Sequence, residues 1–236
     1  GPYGVTEDVA GGVGGNVVSN IDVSGKDVSG ADSPASFVSW GAGDAAVIAA
    51  LNTYGTLTQG SDGTWSYALD NTRDATQALD STFSQDFVLN YTMQDADGDQ
   101  KSSTLTITIN GANDGPHITT DSGNPDGAND VVYEAGLSTG SQVGETTTTV
   151  GGTFTLSDAD GLDDIASVTI NGQSVLIGDL VGTSINGAAG TFTVTAYDAA
   201  TGVATYSYTL TSATTDVADA IESDVFTLST TDADGV

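Results

Sequence analysis

The tetrapeptide Asp-Ala-Asp-Gly occurs at residues 95–98, 158–161 and 232–235 of a chain that has no cysteine and one histidine. Alternate residues of a short turning segment aim two carboxylates at one point, and the glycine lets the backbone bend so that a carbonyl can join them. Hard oxygen donors of this kind suit Ca2+, which takes about six to eight of them in flexible geometry, whereas zinc and copper favour imidazole or thiolate. Solvated turns use the same residues. Three copies, each with further acids beside it, favour the metal reading. Asp95, Asp97 and Asp99 have the alternate spacing of an EF-hand loop, but glycine stands fourth and Thr106 twelfth, which argues against that loop.

Catalysis has little to draw on. His117 sits just past Pro116 and would have to assemble a Ser-His-Asp arrangement beside a linker. Asp163-Asp164 is an acid pair without the aromatic cluster that a sugar would stack on. Gly25-Lys26-Asp27 lacks the spacing and hydroxyl of a phosphate loop, and residues 11–19 are a single glycine-rich stretch, which cannot stack into a β-roll. The expectation is a protein that is not an enzyme.

Acids outnumber bases 32 to 3, for a formal net charge of −29. Of the acids, 28 are Asp and 4 are Glu. A surface adapted only to salt or solubility could use either carboxylate, while turns and calcium loops prefer the short Asp side chain. Such a charge repels itself in the compact state, so bound cations should stabilise the fold. Lys26, Arg73 and Lys101 make no basic patch. Nucleic acid and anionic membranes are therefore poor partners for this surface, and the expectation is no nucleic acid and, with no apolar run of spanning length, no direct membrane insertion. The opening Gly1-Pro2 reads as a protease scar, no signal peptide follows it, and the expectation is a slice of a longer protein. Without disulfides, an extracellular chain of this composition needs metal in their place.

The elements that must position these acids are short strands. Thr, Val, Ser and Tyr alternate in runs such as residues 64–69, 103–109, 192–197 and 205–210, and in the second Leu105, Ile107 and Ile109 share one face. Asn171-Gly172 between two such runs predicts a two-residue hairpin. Helix is confined to a turn or two at residues 45–51, 74–79 and 217–221. Trp40, Trp65, Tyr67, Tyr206 and Tyr208 lie in strand patterns as core residues. A chain of 236 residues holds two domains, placed at 1–115 and 116–236. The halves also repeat: Trp65-Ser66-Tyr67 corresponds to Tyr206-Ser207-Tyr208 at an offset of 141, and Asp95 to Asp232 at 137. Trp65 and Tyr206 should then occupy equivalent strands.

The run Tyr54-Gly55-Thr56-Leu57-Thr58, then Asp62-Gly63-Thr64-Trp65-Ser66-Tyr67, Asp95-Ala96-Asp97-Gly98-Asp99 and residues 105–116 resembles the VCBS repeat. The second half, with Tyr133-Glu134-Ala135-Gly136, residues 157–164 and residues 207–212, is similar to sister repeats of giant type I-secreted RTX adhesins of Gram-negative bacteria. The resemblance implies an all-β protein: two tandem antiparallel β-sandwich domains, immunoglobulin- or cadherin-like, with calcium at the joint. It implies structural extender modules on the bacterial cell surface, which rigidify and space a ligand-binding tip. Neighbouring repeats of the same polypeptide would be the partners, and a glycan or surface ligand would act through other domains. The rival expectation is that one domain itself recognises a glycan, peptide or surface, with the Gly/Ser/Asp-rich residues 24–36 as a candidate loop. For Ca2+ the candidate ligands are Glu7, Asn20, Asp22, Asp95, Asp97, Asp99, Asn113, Asp114, Glu134, Asp158, Asp160, Asp163, Asp232 and Asp234. A joint site would join Asp95 and Asp97 to Asn113 and Asp114 of the linker and to Asp158 and Asp160. Asn20-Ile21-Asp22 departs from Asp-x-Asp, so weaker binding is expected there.

Overall fold

The computed structural model describes residues 3–19, 35–120, 131–215 and 222–235. It divides into two compact units, Gly1–Asp114 and Gly115–Val236. Both are built mainly of β-strands.

Unit one runs β1 Tyr3–Thr6, β2 Gly12–Asn16, β3 Ser36–Trp40, α1 Ala45–Tyr54, β4 Gly55–Gln59, β5 Thr64–Leu69, α2 Asp74–Gln77, β6 Ser84–Gln94 and β7 Gln100–Asn110. Its sheets have the orders β1-β7-β6-β3 and β2-β5-β4. β1 lies parallel to β7, while β6 and β7 form an antiparallel hairpin from Ser84↔Asn110 to Gln94↔Gln100. Alternation explains the burial. Phe87, Leu89, Tyr91 and Met93 on β6 and Leu105, Ile107 and Ile109 on β7 face one core, which Trp65 and Tyr67 of β5 enter from the other sheet. The Tyr3 and Trp65 rings meet edge to face with centroids 4.7 Å apart. Leu51 of α1 is wholly buried, and the Tyr67 hydroxyl donates to its carbonyl at 2.9 Å.

Unit two runs β8 His117–Thr120, β9 Thr149–Ser157, β10 Ile165–Ile170, β11 Gln173–Leu176, β12 Ser184–Asn186, β13 Gly190–Asp198, β14 Val203–Leu210 and β15 Leu228–Asp232, with 3-10 turns at Glu134–Gly136 and Ile177–Asp179. Its sheets have the orders β12-β13-β14-β9-β8 and β11-β10-β15. Phe154 and Leu156 of β9 share a core with Val168 and Ile170 of β10 and Phe192 and Val194 of β13. Asn171 and Gly172, at φ 49° and 80°, close the β10–β11 hairpin as the Asn-Gly pair predicts.

Neighbour relations recur between the units. β5 lies between β2 and β4, and β14 lies between β9 and β13, so Trp65 and Tyr206 occupy corresponding strands. β6 pairs with β3 as β15 pairs with β10, and an Asp-Ala-Asp-Gly turn follows each. Two expectations need adjustment. Trp40, Tyr206 and Tyr208 are only half-buried, unlike Trp65 and Tyr67. α1 extends to Tyr54, past the alanines and leucine that favour helix, and stops where Gly55 opens β4. Residues 217–221 lie outside the described residues, as does most of the 24–36 loop.

Ile107 is fully buried, so Ile107→Ala should destabilise unit one by about 2–5 kcal/mol. Both tryptophans, Trp40 and Trp65, belong to unit one and report its unfolding by fluorescence. The fluorescence midpoint in urea should fall while a second phase in far-ultraviolet circular dichroism keeps its wild-type midpoint. Equal shifts of both signals would show that the units do not unfold separately.

Candidate metal centre

At the end of β9 the chain must turn sharply into β10. Asp158 Oδ1 accepts the Asp160 amide at 2.9 Å, an Asx turn. Gly161 sits at φ +123°, and the Asp164 amide donates to its carbonyl at 3.2 Å. These bends aim Asp158, Asp160 and Asp164 at one point, and one carboxylate oxygen from each lies within 4.8 Å of the others. Oxygens that share a Ca2+ at about 2.3–2.6 Å can stand no farther apart than about 5 Å. The set has the size of such a shell.

β15 brings the third Asp-Ala-Asp-Gly copy to the same pole. Asp232 stands opposite Ile165 in the β10–β15 ladder and is 3 % exposed. Its Oδ1 accepts the Gly235 amide at 2.6 Å, and the Ala233 amide donates to the Asp164 carbonyl at 3.0 Å. The structure therefore gathers Asp158, Asp160 and Asp232 of the expected residues, with Asp234 exposed in the adjoining turn. Asp163 does not join them. It is exposed, and its carboxylate lies over Gly161, where a Cβ would meet Oδ1 at 2.7 Å. Asp164 takes the place expected of Asp163. The signal available was the return of the chain at Gly161, which turns the second of two adjacent acids inward.

The electrostatics of this group are one-sided. No Lys or Arg follows Lys101, so unit two contains none. Burial pushes the Asp158 carboxyl above its ordinary pKa; the Asp160 amide opposes this, and the charges of Asp160, Asp164 and Asp232 add to it. Asp158 Oδ2 is buried and accepts no hydrogen bond. A carboxylate removed from water without donor or counter-charge is costly, and a hard cation would offset that cost. The donor set fits Ca2+.

The remaining candidates fall elsewhere. Asp95, Asp97 and Asp99 form the β6–β7 turn, where Asp95 Oδ1 accepts the Asp99 amide at 2.9 Å and Gly98 adopts φ +92°. Asn113 and Asp114 follow the opposite end of β7. Its eleven residues, at about 3.4 Å each, separate the turn from the linker by roughly 35 Å. The expected grouping of Asp95 and Asp97 with Asn113 and Asp114 is thereby overturned, because an antiparallel hairpin carries its turn away from both strand ends.

Glu7 does lie at the linker end. It is 1 % exposed, and it accepts the Ala112 amide and the Gln77 side-chain amide, each at 3.2 Å. Gln77 also reaches Asp8 Oδ1 at 3.2 Å. Glu134 is committed otherwise: its Oε1 accepts the Thr214 hydroxyl at 2.6 Å and the Thr214 amide at 2.5 Å, bonds that hold its pKa below the usual value. Asn20 and Asp22 lie outside the described residues. His117 is exposed on β8 opposite Ser157.

No family model and no curated protein matches the chain. Among solved structures it aligns with a Bacteroides ovatus mixed-linkage glucan utilization locus protein, SGBP-B, in complex with a mixed-linkage heptasaccharide. Identity is 17 %, the TM-score is 0.16, and the alignment covers 77 % of this chain and 30 % of that one. The chain thus spans less than a third of that protein. Among the described residues, no helix is long and apolar enough to cross a membrane.

Carboxyls shifted in opposite directions make the pH dependence diagnostic. Asp62, Asp70 and Asp80 are held below the ordinary aspartate value, chiefly by the hydroxyls of Thr64, Thr72 and Thr82, and Asp198 chiefly by the Ala200 amide. A lowered folded pKa stabilises above the unfolded value and loses that contribution as pH falls through the folded one. For Asp158 the sign reverses: its raised pKa costs stability near neutrality without a cation, and protonation relieves the cost. In metal-free buffer the urea midpoint of unit two should rise as pH falls through the raised pKa of Asp158, then fall as Asp198, Asp224 and Glu134, held below their ordinary values, take up protons. Asp158→Asn should remove the rise and keep the acid loss; a rise that survives the substitution would assign it to another group.

Proposed function

We propose that the acidic pole of unit two binds Ca2+, and that the chain is a pair of calcium-stabilised β-sandwich modules serving as spacers in a larger extracellular protein of the bacterial surface. The observation that carries the reading is the convergence of Asp158, Asp160 and Asp164 within 4.8 Å in a unit without a single Lys or Arg. Binding there would draw the β9–β10 loop toward the end of β15 and fix the pole at which the chain enters β8, since His117 pairs with Ser157. The strand orders support an immunoglobulin-like sandwich for each unit: β2-β5-β4 against β3-β6-β7 has the arrangement of such domains, with the first strand moved beside the last. Buried Glu7, which accepts the Ala112 amide just ahead of Asn113 and Asp114 in the chain, is a candidate for a second, weaker contribution within unit one.

Sites of extracellular modules bind Ca2+ at about 10⁻⁴–10⁻³ M, and ligand at about one hundred times its dissociation constant adds about 2.7 kcal/mol per site. Calcium should therefore raise the melting temperature of unit two measurably over EGTA. Asp164→Asn should abolish that rise, yet melt no lower than wild type in EGTA, because it relieves like-charge crowding in the metal-free pole. Equal melting of the wild type in Ca2+ and EGTA would refute the site. The spacer role has its own test. Small-angle scattering should show a narrower range of maximum dimension with Ca2+, and a glycan array in Ca2+ should show no specific ligand; selective glycan capture would instead assign recognition to the modules.

A further inference from the structure

We propose that β1 and β7 form the mechanical clamp of unit one, the element that sets the force the module withstands when tension enters ahead of Tyr3 and leaves through the linker. The inference rests on the spacer reading for its purpose alone, since a spacer has to carry tension. Its physical basis is the direction of the two strands. β1 and β7 lie parallel, in register over four successive pairs from Tyr3↔Ile107 to Thr6↔Asn110. Whatever chain precedes residue 3 pulls β1 backward, and the chain beyond Asn110 pulls β7 forward. Parallel strands drawn this way slide along each other, so the bonds between them share the load and must give together. Strands drawn apart at one end give way one bond at a time.

The inward face of β1 resists that sliding. Tyr3 and Val5 alternate onto it, the Tyr3 ring edge to face on Trp65 and Val5 buried in the core, and Glu7 is buried just beyond. A slip by one residue would bring Gly4 and Thr6 to the core and turn Val5 out. β7 cannot follow β1, because β6 pairs with it along its whole length and Leu105, Ile107 and Ile109 are buried. Glu7 secures the end where tension leaves. Its amide donates to the Asn110 carbonyl at 3.0 Å, one step past the last registered pair. Its Oε2 accepts the Ala112 amide at 3.2 Å, a donor that the Leu79 carbonyl also takes at 2.9 Å, and its Oε1 accepts Gln77 Nε2 at 3.2 Å. The carboxylate thus carries the hold of β1 past the end of β7 to the start of the linker, and ties both to Gln77 of α2.

The test is single-molecule force spectroscopy on the full chain in EGTA. The chain has no cysteine, so one handle can be attached at a cysteine added ahead of Gly1 and the other at a position of choice. Gly115→Cys loads the clamp in shear. Thr104→Cys, at an exposed position of β7 ahead of Ile107, instead peels β1 from its Tyr3 end. At one loading rate the first unfolding force should be at least about twofold higher in shear than in peeling, because several bonds rather than one resist it. Glu7→Gln keeps the size of the side chain but sets an amide NH2 against one of its donors. It should lower the shear force and leave the peeling force unchanged, because peeling starts at the far end of β1. Equal forces in the two geometries would overturn the clamp, and an equal proportional loss in both on Glu7→Gln would overturn the role given to Glu7. The comparison of geometries involves no substitution in β1, so it decides the clamp even where Glu7→Gln does not fold. Unit two lies outside the handles and no calcium is present, so failure here is separate from failure of the calcium site, while scattering and glycan binding decide the spacer reading.

Discussion

Every carboxylate this chain takes out of water has to be met by an N–H, a hydroxyl or a cation, and with 3 basic residues against 32 acids the first two must carry nearly all of it. The described residues contain a single ion pair, Arg73 with Asp70 at 3.0 Å. Elsewhere the backbone is the counter-charge. Asp44, 4 % exposed, accepts both the amide and the side-chain Nδ2 of Asn90 at 2.6 and 2.7 Å. Asp224 accepts the Ala188, Ala189 and Gly190 amides and the Tyr208 hydroxyl at 2.9–3.1 Å; burial pulls its pKa up, but the four donors outweigh it and leave the carboxyl below its usual value. Asp62, Asp70 and Asp80 each bind the amide and hydroxyl of the threonine two residues on. Some of these acids thus make turns and others tie distant loops together, each on backbone or hydroxyl donors rather than on basic side chains.

That accounting explains which parts of the molecule were legible in advance. Residues 64–69 coincide with β5, and Asn171-Gly172 closes a hairpin, because period-two alternation and a left-handed dipeptide are local properties that tertiary structure had no reason to override. The poles were less legible. Whether Asp95 lies near Asn113 depends on chain direction, which composition does not encode, and the β6–β7 register sets them at opposite ends of a long hairpin. The choice between Asp163 and Asp164 turns on one backbone bend at Gly161, beyond the resolution of a motif. The run Tyr133-Glu134-Ala135-Gly136 does not show that the Glu134 carboxylate is engaged by Thr214, eighty residues on.

One motif therefore has two outcomes. At Asp95 the tetrapeptide only closes a hairpin, its carboxylate spent on the Asp99 amide. At Asp232 the same residues end a strand that lies in register with Ile165, and the carboxylate enters a pole already crowded by the β9–β10 loop. The difference is supplied by what stands opposite, since like charges raise one another's pKa only when the fold brings them together away from water.

The chain carries its own control for what the Asp158 charge is needed for. Asn16 ends β2, the strand that flanks β5 as β9 flanks β14, and its Oδ1 accepts the Val18 amide at 2.9 Å, the length of the bond from the Asp160 amide to Asp158. A neutral amide thus makes the same i to i+2 turn at the matching strand end, and its Nδ2 adds a bond to the Asp62 carbonyl at 3.0 Å. Forming the turn does not require a negative charge. At Asp158 that charge raises the cost of burial, is repelled by three neighbouring acids and leaves one oxygen buried without a hydrogen bond. The charge at Asp158 therefore costs the metal-free pole stability where a neutral relative serves the backbone equally, which is the cost the proposed cation would offset.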